Sequence, residues 1–398
     1  MARFPVSRRV RRGWGVELDG AVYGQPVVAG GTAYAATEND TVYALDLASG
    51  AVRWRRHLGA PVDGGDLPCG NIDPLGITGT PAYDRATRTL FVAAETAGAR
   101  HTLVALDARN GRVRFTRGLD AVPGRERAAE QQRGALLVAN GRVYVPFGGL
   151  FGDCGNYVGY LTATRTDGRG GTRAYAIPTA RMGGIWAASG PAAGPDGDVY
   201  AAVGNGASTG GRYDGSDSVL RLSPDLRRRS YFAPPDWGAE NAQDADLGST
   251  GPLVLPGGRL LIAGKTGDVY LLGARDLGGV GGQRASVPGC TAFGGMARAG
   301  TSVFLPCDGG VRRIDVSGAR LRTVWAADSA VTGSPVASPG AVWALDTGAG
   351  DLHALSPATG KTLAAHHVGP VSRFASPTLA APYVLVPTLH GVIALHVT

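Results

Sequence analysis

The sequence predicts an all-β fold, an eight-bladed β-propeller of four-stranded antiparallel blades, and three observations carry that expectation. Gly accounts for 63 and Pro for 25 of the 398 residues, which multiplies chain reversals and leaves long helices poorly supported. Apolar residues are 44% and charged residues 18%, enough for a large core and too little charge for a disordered chain. One short pattern returns eight times, its copies starting roughly 40–60 residues apart, the length of a propeller blade.

The first copy, Gly24 to Trp54, is the clearest. Pro26 opens a first strand, TAYAATE alternates as a second, TVYALDL as a third and AVRW as a fourth, with short turns between them. The second copy runs from Gly79 to Phe115 and the third from Arg133 to Tyr175. The fourth covers Ser189 to Phe232, the fifth Thr250 to Gly279 and the sixth Phe293 to Trp325. The seventh is Gly333 to Leu363, and the eighth, Ala375 to Val397, stops after its third strand. Pro26 aligns with Pro81, Ala135, Pro191, Pro252, Gly295, Pro335 and Pro377. The missing fourth strand of the last copy is expected from GWGVEL, Gly13 to Leu18, so that the N-terminus closes the ring and removes its free edges. Residues 1–12 then form a tail and 13–398 a single domain.

Alternate residues of the inner strands, among them Val42, Ala44, Val104, Leu106, Val219 and Leu272, are expected to pack between neighbouring blades. Trp14, Trp54, Phe115, Tyr175, Tyr231 and Trp325 recur near the start of the outermost strand, a packing position once per blade. The fifth and seventh copies lack such an aromatic.

The net charge of +7 does not point to nucleic acid. The basic residues, all arginine except Lys265 and Lys361, are dispersed, and the one dense run, Arg8 to Arg12, lies in the expected tail. No apolar stretch reaches the roughly 18 residues of a membrane helix, and the first twenty residues lack a secretory apolar run. His101, His353 and His390 are scattered, His366 and His367 are peripheral, and no nucleophile elbow or phosphate loop accompanies them.

The run ALD-x-x-x-G-x-x-x-W, Ala44 to Trp54, is echoed by VALDARNGRVRF, RIDVSGARLRTVW and ALSPATGKTL. It resembles the tryptophan-docking repeat of the PQQ-binding-like β-propeller family. That family holds both dehydrogenases using pyrroloquinoline quinone and Ca²⁺ and cofactor-free scaffolds. Gly183 to Val219 resembles the dehydrogenase segment that brings a Trp beneath the quinone and an Asn to calcium, which implies Trp186 as stacking floor and Asn205 as metal ligand. Asp236 to Leu255 resembles the segment with the catalytic aspartate, implying Asp244 or Asp246, and Lys265 then falls where the family has a basic residue near the quinone. A hard cation and a lysine suit the negative charge of a reduced quinone, and an aspartate suits the alcohol proton. The chain departs from that branch twice. Gly70 follows Cys69 where the dehydrogenases have adjacent cysteines, and Leu150 stands where they supply a glutamate to calcium, with Asp153 the nearby substitute.

Four cysteines fall at blade ends in a way that suggests two disulfides, Cys69 with Cys154 on adjacent blades and Cys290 with Cys307 within one. Such pairs imply an extracytoplasmic or secreted protein, whereas zinc lacks the C-x-x-C spacing it commonly uses. The functional expectation is a propeller whose loop-rich face binds a protein or small-molecule ligand without catalysis. The alternatives are a quinone- and calcium-dependent alcohol or sugar dehydrogenase, or a glycan binder using Tyr157, Tyr213 and Trp237.

Overall fold

The computed structural model describes residues 10–397. Eight antiparallel sheets follow one another along the chain, each led by an inner strand and ended by an outer one. Blade 1 shows the pattern: Val27–Ala29, Thr32–Ala36, Thr41–Asp46 and Val52–His57 pair in sequence order. Its two middle strands are almost wholly buried and its outer strand alternates. Short apolar β-branched and aromatic strands separated by Gly-rich turns leave the chain no choice but a meander.

The ring closes as expected. Val10–Glu17 pairs antiparallel with Gly391–Val397, making the outer strand of blade 8 beside Tyr383–Thr388 and Thr378–Ala380. This strand starts at Val10 rather than Gly13, because Val10, Arg11 and Arg12 find ladder partners in Val397, His396 and Leu395. Of the expected tail, residues 1–9 lie outside the described residues.

Two blades differ from the repeat. In blade 3 a fifth strand, Glu130–Gln131, pairs with Gly148 and Gly149. In blade 5 the fourth strand is Ala285–Pro288, beyond the repeat boundary at Gly279. The glycine-rich segment between them instead lays Gly279–Val280 parallel to Phe232–Ala233 of blade 4. Among the described residues the one α-helix is Trp237–Ala242, in the loop between blades 4 and 5.

Apolar clusters lie between blades. Val42 and Ala44 of blade 1 pack on Leu90, Val104 and Leu106 of blade 2, and Val219 of blade 4 packs on Leu260 and Leu272 of blade 5. The repeated aromatics dock onto the next blade. Trp54 Nε1 donates to the Ala108 carbonyl at 3.1 Å, and Trp14 and Trp325 do the same to Leu47 and Pro357 at 3.0 Å. Each ring covers a turn that begins with a capping side chain, as where the Asp46 carboxylate accepts from the Ala48 and Ser49 amides.

Such a turn admits only glycine at its close. Gly111 has φ +68, and a Cβ there would stand 2.6 Å from the Trp54 indole. Gly111→Ala is therefore expected to cost about 2–3 kcal/mol, backbone strain plus overpacking, in urea unfolding. Gly300→Ala, at φ +61 with open space around it, serves as the control and should cost only about 1 kcal/mol. Equal costs at the two positions would refute the docking argument.

Both expected disulfides are present, Cys69–Cys154 with Cα atoms 6.2 Å apart and Cys290–Cys307 with 5.7 Å. No described helix is long and apolar enough to cross a membrane.

Candidate functional site

Because strands alternate in direction, the loops entering each blade and the loops joining second to third strands share one face of the ring. That face carries both disulfides and every residue singled out above as quinone- or metal-related.

Four of those residues meet. Trp186, on the entry to blade 4, is half-buried against glycine: a Cβ at Gly204 would lie 2.9 Å from its Nε1 and one at Gly148 3.1 Å from its Cβ. Lys265, in the tight turn of blade 5, places Nζ 5.3 Å from the centroid of the Trp186 ring. The same ammonium lies 2.6 Å from Asp244 Oδ1 and 2.7 Å from Asp246 Oδ2. The two aspartates differ in environment. Asp244 is exposed and clamps the outer side, whereas Asp246 is fully buried, its carbonyl accepting from the Lys265 amide. Burial pushes the Asp246 carboxyl up to about 6 despite the lysine beside it. For Lys265, burial pulls down, but Asp246 and Asp244 more than compensate and the ammonium is held charged.

Asn205 and Asp153 are placed otherwise. Asn205 is buried next to the glycine that receives Trp186, and its carbonyl accepts from Gly183. The following residue, Gly206, donates its amide to Asn241 Oδ1, and Asn241 Nδ2 donates to the Ser208 carbonyl, so the short helix fastens this loop. Asp153 accepts the hydroxyl of Tyr157 on its own loop. Leu150 is buried against Leu75, Ile72 and the Cys69–Cys154 bridge.

These surroundings fit the family's cofactor only in part. Trp186, Lys265 and Asp246 have the types and proximity that a quinone ring and its reduced oxygens need. The calcium half does not fit: the glutamate position is an apolar core residue and Asp153 is engaged by a tyrosine. A hard dication binds through ligand number and charge, and both are short here.

The aromatics that suggested sugar stacking are not available for it. Tyr157 and Trp237 are buried, and Tyr213 stacks on Tyr231 at 5.0 Å and meets Trp237 edge-on at 5.2 Å. The hydroxyls of Tyr157 and Tyr213 donate to Asp153 and to the Ser216 carbonyl, so their polar ends are satisfied internally.

Beside Trp186, the axis of the ring holds residues that sequence reasoning missed. Phe293 from blade 6 and Phe374 from blade 8 tilt against Trp186 at 6.5 and 6.2 Å. Two arginines cap them. Arg133 Cζ lies 5.2 Å from the Phe374 ring, and Arg373 Cζ lies 4.3 Å from Phe293 and 5.5 Å from Phe374. A cavity of ≈ 210 Å³ opens there, lined by Arg133, Phe374, Tyr23, Thr80, Ser189 and Ser334 among others. Neither guanidinium makes a hydrogen bond or ion pair among the described residues; burial disfavours the charge of Arg133, and Glu38 supplies the opposing field. Burial in turn pushes Glu38 up to about 7, its Oε2 accepting from Gly76 and Thr78. The signal was present in the repeat alignment: Tyr23, Arg133, Phe293 and Phe374 all sit four residues before the first residue of an inner strand, the column that faces the axis.

Comparison with known proteins agrees with this architecture. Residues 10–148 match the family model described as outer membrane protein assembly factor BamB. No curated protein matches the sequence. Among solved structures, quinohemoprotein alcohol dehydrogenase from Comamonas testosteroni is similar with TM-score 0.73 and 16% identity, over 98% of this chain and 76% of that one. BamB from Moraxella catarrhalis has TM-score 0.65 and 15% identity, over 98% of each chain. A europium-containing methanol dehydrogenase has TM-score 0.71 and 14% identity, over 98% of this chain and 94% of that one. The family match thus covers residues 10–148, and the eight-bladed propeller fold shared with these structures runs throughout the described residues.

Proposed function

We propose that this protein is an extracytoplasmic binding propeller that takes a small organic anion, or an anionic side chain of a partner, into the axial well, and that it does not run calcium-dependent quinone chemistry. The observation that carries the reading is the Arg133 guanidinium, which lines the cavity over the Phe374 ring without a hydrogen bond or ion pair among the described residues, with the exposed Arg373 on the same ring adding positive charge. A guanidinium offers five donors in a fork matched to a carboxylate, and burying one without an acceptor is costly. The Ser and Thr hydroxyls of the wall supply further donors, and the phenyl rings suit a flat apolar body. A volume of ≈ 210 Å³ lies below that of typical drug-sized pockets, so a single-ring carboxylate is the appropriate scale. The two disulfides support export to an oxidising compartment.

The dehydrogenase reading has one observation in its favour. Asp246 is a buried carboxyl raised to about 6, beside Lys265 and Trp186, a setting suited to a general base. On that reading Asp246 takes the proton, Asp244 and Lys265 fix its position, and Asn205 and Asp153 are the metal ligands.

Calorimetric titration separates the two. Benzoate is expected to bind and benzyl alcohol not, with Arg133→Gln weakening benzoate about tenfold, the loss of a charged hydrogen bond. Pyrroloquinoline quinone, itself a polycarboxylate, is expected to gain nothing from Ca²⁺. A Ca²⁺-dependent micromolar affinity that Asn205→Ala abolishes would replace this proposal with the dehydrogenase reading.

A further inference from the structure

On the same face, between blades 2 and 3, lies a second constellation that shares no residue with the axial well. His101 opens the third strand of blade 2, Arg100–Asp107, and its side chain is 1% exposed. Asp120 follows the outer strand of that blade, and Glu130 belongs to the extra strand of blade 3. Neither the repeat nor the family resemblance calls for these residue types.

Their positions are set by packing. The His101 ring stands edge-on to Phe147 at 5.1 Å, Phe147 stacks on Tyr160 at 4.4 Å, and the Tyr160 hydroxyl donates to Glu130 Oε2 at 3.0 Å. One aromatic pair thus orients both the imidazole and the carboxylate. Asp120 Oδ1 is 2.7 Å from His101 Nδ1. One donor atom from each of His101, Asp120 and Glu130 lies within 4.8 Å of the others.

Behind the ring, Glu95 brings Oε2 to 3.3 Å from His101 Nε2, and Glu95 is 2% exposed. Its Oε1 and the His101 Nε2 are buried without a hydrogen-bond partner. Three carboxylates therefore surround one imidazole. The nearest further cation is Arg127, 3.9 Å from the outer oxygen of Asp120 and itself half-exposed. Glu38 and Asp40 of blade 1 interact in turn with Glu95. Carboxylates buried together like this take up protons or pair with a cation, and a metal ion can take the place of those protons.

We propose that His101 Nδ1, Asp120 and Glu130 bind a divalent transition-metal ion, with Glu95 orienting the imidazole from behind. A carboxylate on the far nitrogen of a metal-bound histidine is the usual outer partner, fixing the tautomer that frees the ligating nitrogen. One imidazole with two carboxylate oxygens suits Zn²⁺ or Mn²⁺, whereas Ca²⁺ and Mg²⁺ prefer all-oxygen shells. Asp120, a third exposed, is the entry side. Metal entry displaces the proton on His101 Nδ1 to solvent, so affinity rises with pH.

The test uses the untagged full-length protein stripped with a chelator and dialysed. Zn²⁺ is titrated calorimetrically at two pH values, with Mn²⁺ and Ca²⁺ as comparators, and bound metal is counted by mass spectrometry. One Zn²⁺ per chain is expected, tighter at the higher pH, with Ca²⁺ weaker. Asp120→Asn is expected to weaken Zn²⁺ about 100-fold, while the metal-free protein still folds cooperatively with a melting temperature lowered by the lost contact with His101. Asp276→Asn, an exposed acid elsewhere, should change nothing. The partial exposure of Asp120 keeps the test valid even where a His101 variant fails to fold. Absence of saturable uptake, or uptake that Asp120→Asn leaves intact, overturns the proposal, as does equal weakening by the two variants.

Discussion

A chain beginning at Leu18 is expected to lose its closed ring and most of its stability. The strand it lacks pairs Val10 through Glu17 with Val397 through Gly391, and it buries Trp14 against blade 1, where the indole donates to Leu47 and covers Gly50. Losing a whole ladder at about 1 kcal/mol per hydrogen bond, together with burial of Trp14 and Val16 at about 2–3 kcal/mol each, removes an amount comparable to the 5–15 kcal/mol of a typical domain. The strand Gly391–Val397 would also become an open edge, a template for another chain. The expected readout is a melting temperature lower by at least about 10 °C or no cooperative transition, with concentration-dependent association. A synthetic peptide spanning Val10 to Leu18 should restore part of the loss. A truncated protein that melts within a few degrees of the parent would disprove closure by this strand.

Stability is also expected to fall steadily from mildly acidic to alkaline pH, the reverse of the usual carboxylate behaviour. Burial pushes Glu38 and Glu130 up to about 7, Asp40 up to about 8 and Asp246 up to about 6, and burial with the neighbouring Glu240 raises Asp217 as well. Each of these carboxyls binds its proton more tightly folded than unfolded. Between about pH 4 and 8 the native state therefore holds more protons than the unfolded chain, and stability declines as pH rises. His101 acts in the same direction. Burial pulls its imidazolium down, but Glu95 and Asp120 more than offset this and raise it to about 10. Its contribution is complete below about pH 6.5 and is lost as pH rises toward 10. Asp46 and Asp107, held low by Arg53 and Arg109, pull the other way only in acid below about pH 4. In chelator, thermal melts should show a midpoint about 5 °C lower at pH 8.5 than at pH 5.5. A flat profile over that range would mean that the buried carboxyls do not change protonation as described. Bound Zn²⁺ should reduce the slope, because His101 and Glu130 would no longer carry the protons.

How far such features can be foreseen depends on their distance along the chain. The blade pattern is local: four strands, three turns and a docking glycine fit within one repeat, so Gly24 to Trp54 announces its own structure. Repetition then extends that reading to weaker copies, and the truncated eighth copy points back to Trp14. The cysteine pairs were legible for the same reason, since each falls at a known blade end. Where glycine interrupted the alternation, as after Leu277, the strand boundary moved, because a flexible segment goes where a neighbouring edge can receive it.

The class of the fold, the blade count, the closure and the meeting of Trp186, Lys265, Asp244 and Asp246 on one face were legible from the repeat. What each of those groups faces follows from the folded ring. Asp244 and Asp246 are two residues apart, yet one is exposed and the other fully buried, a difference made by the turn of the next blade. Tyr157 and Trp237 read as surface aromatics and are core. Arg133, Phe293, Arg373 and Phe374 come from three blades far apart in sequence, and His101, Asp120 and Glu130 from the seam of two. A β-ring brings distant loops to one axis through strand pairing and interblade packing. The chemistry of such loops is a property of the closed ring rather than of any segment of it.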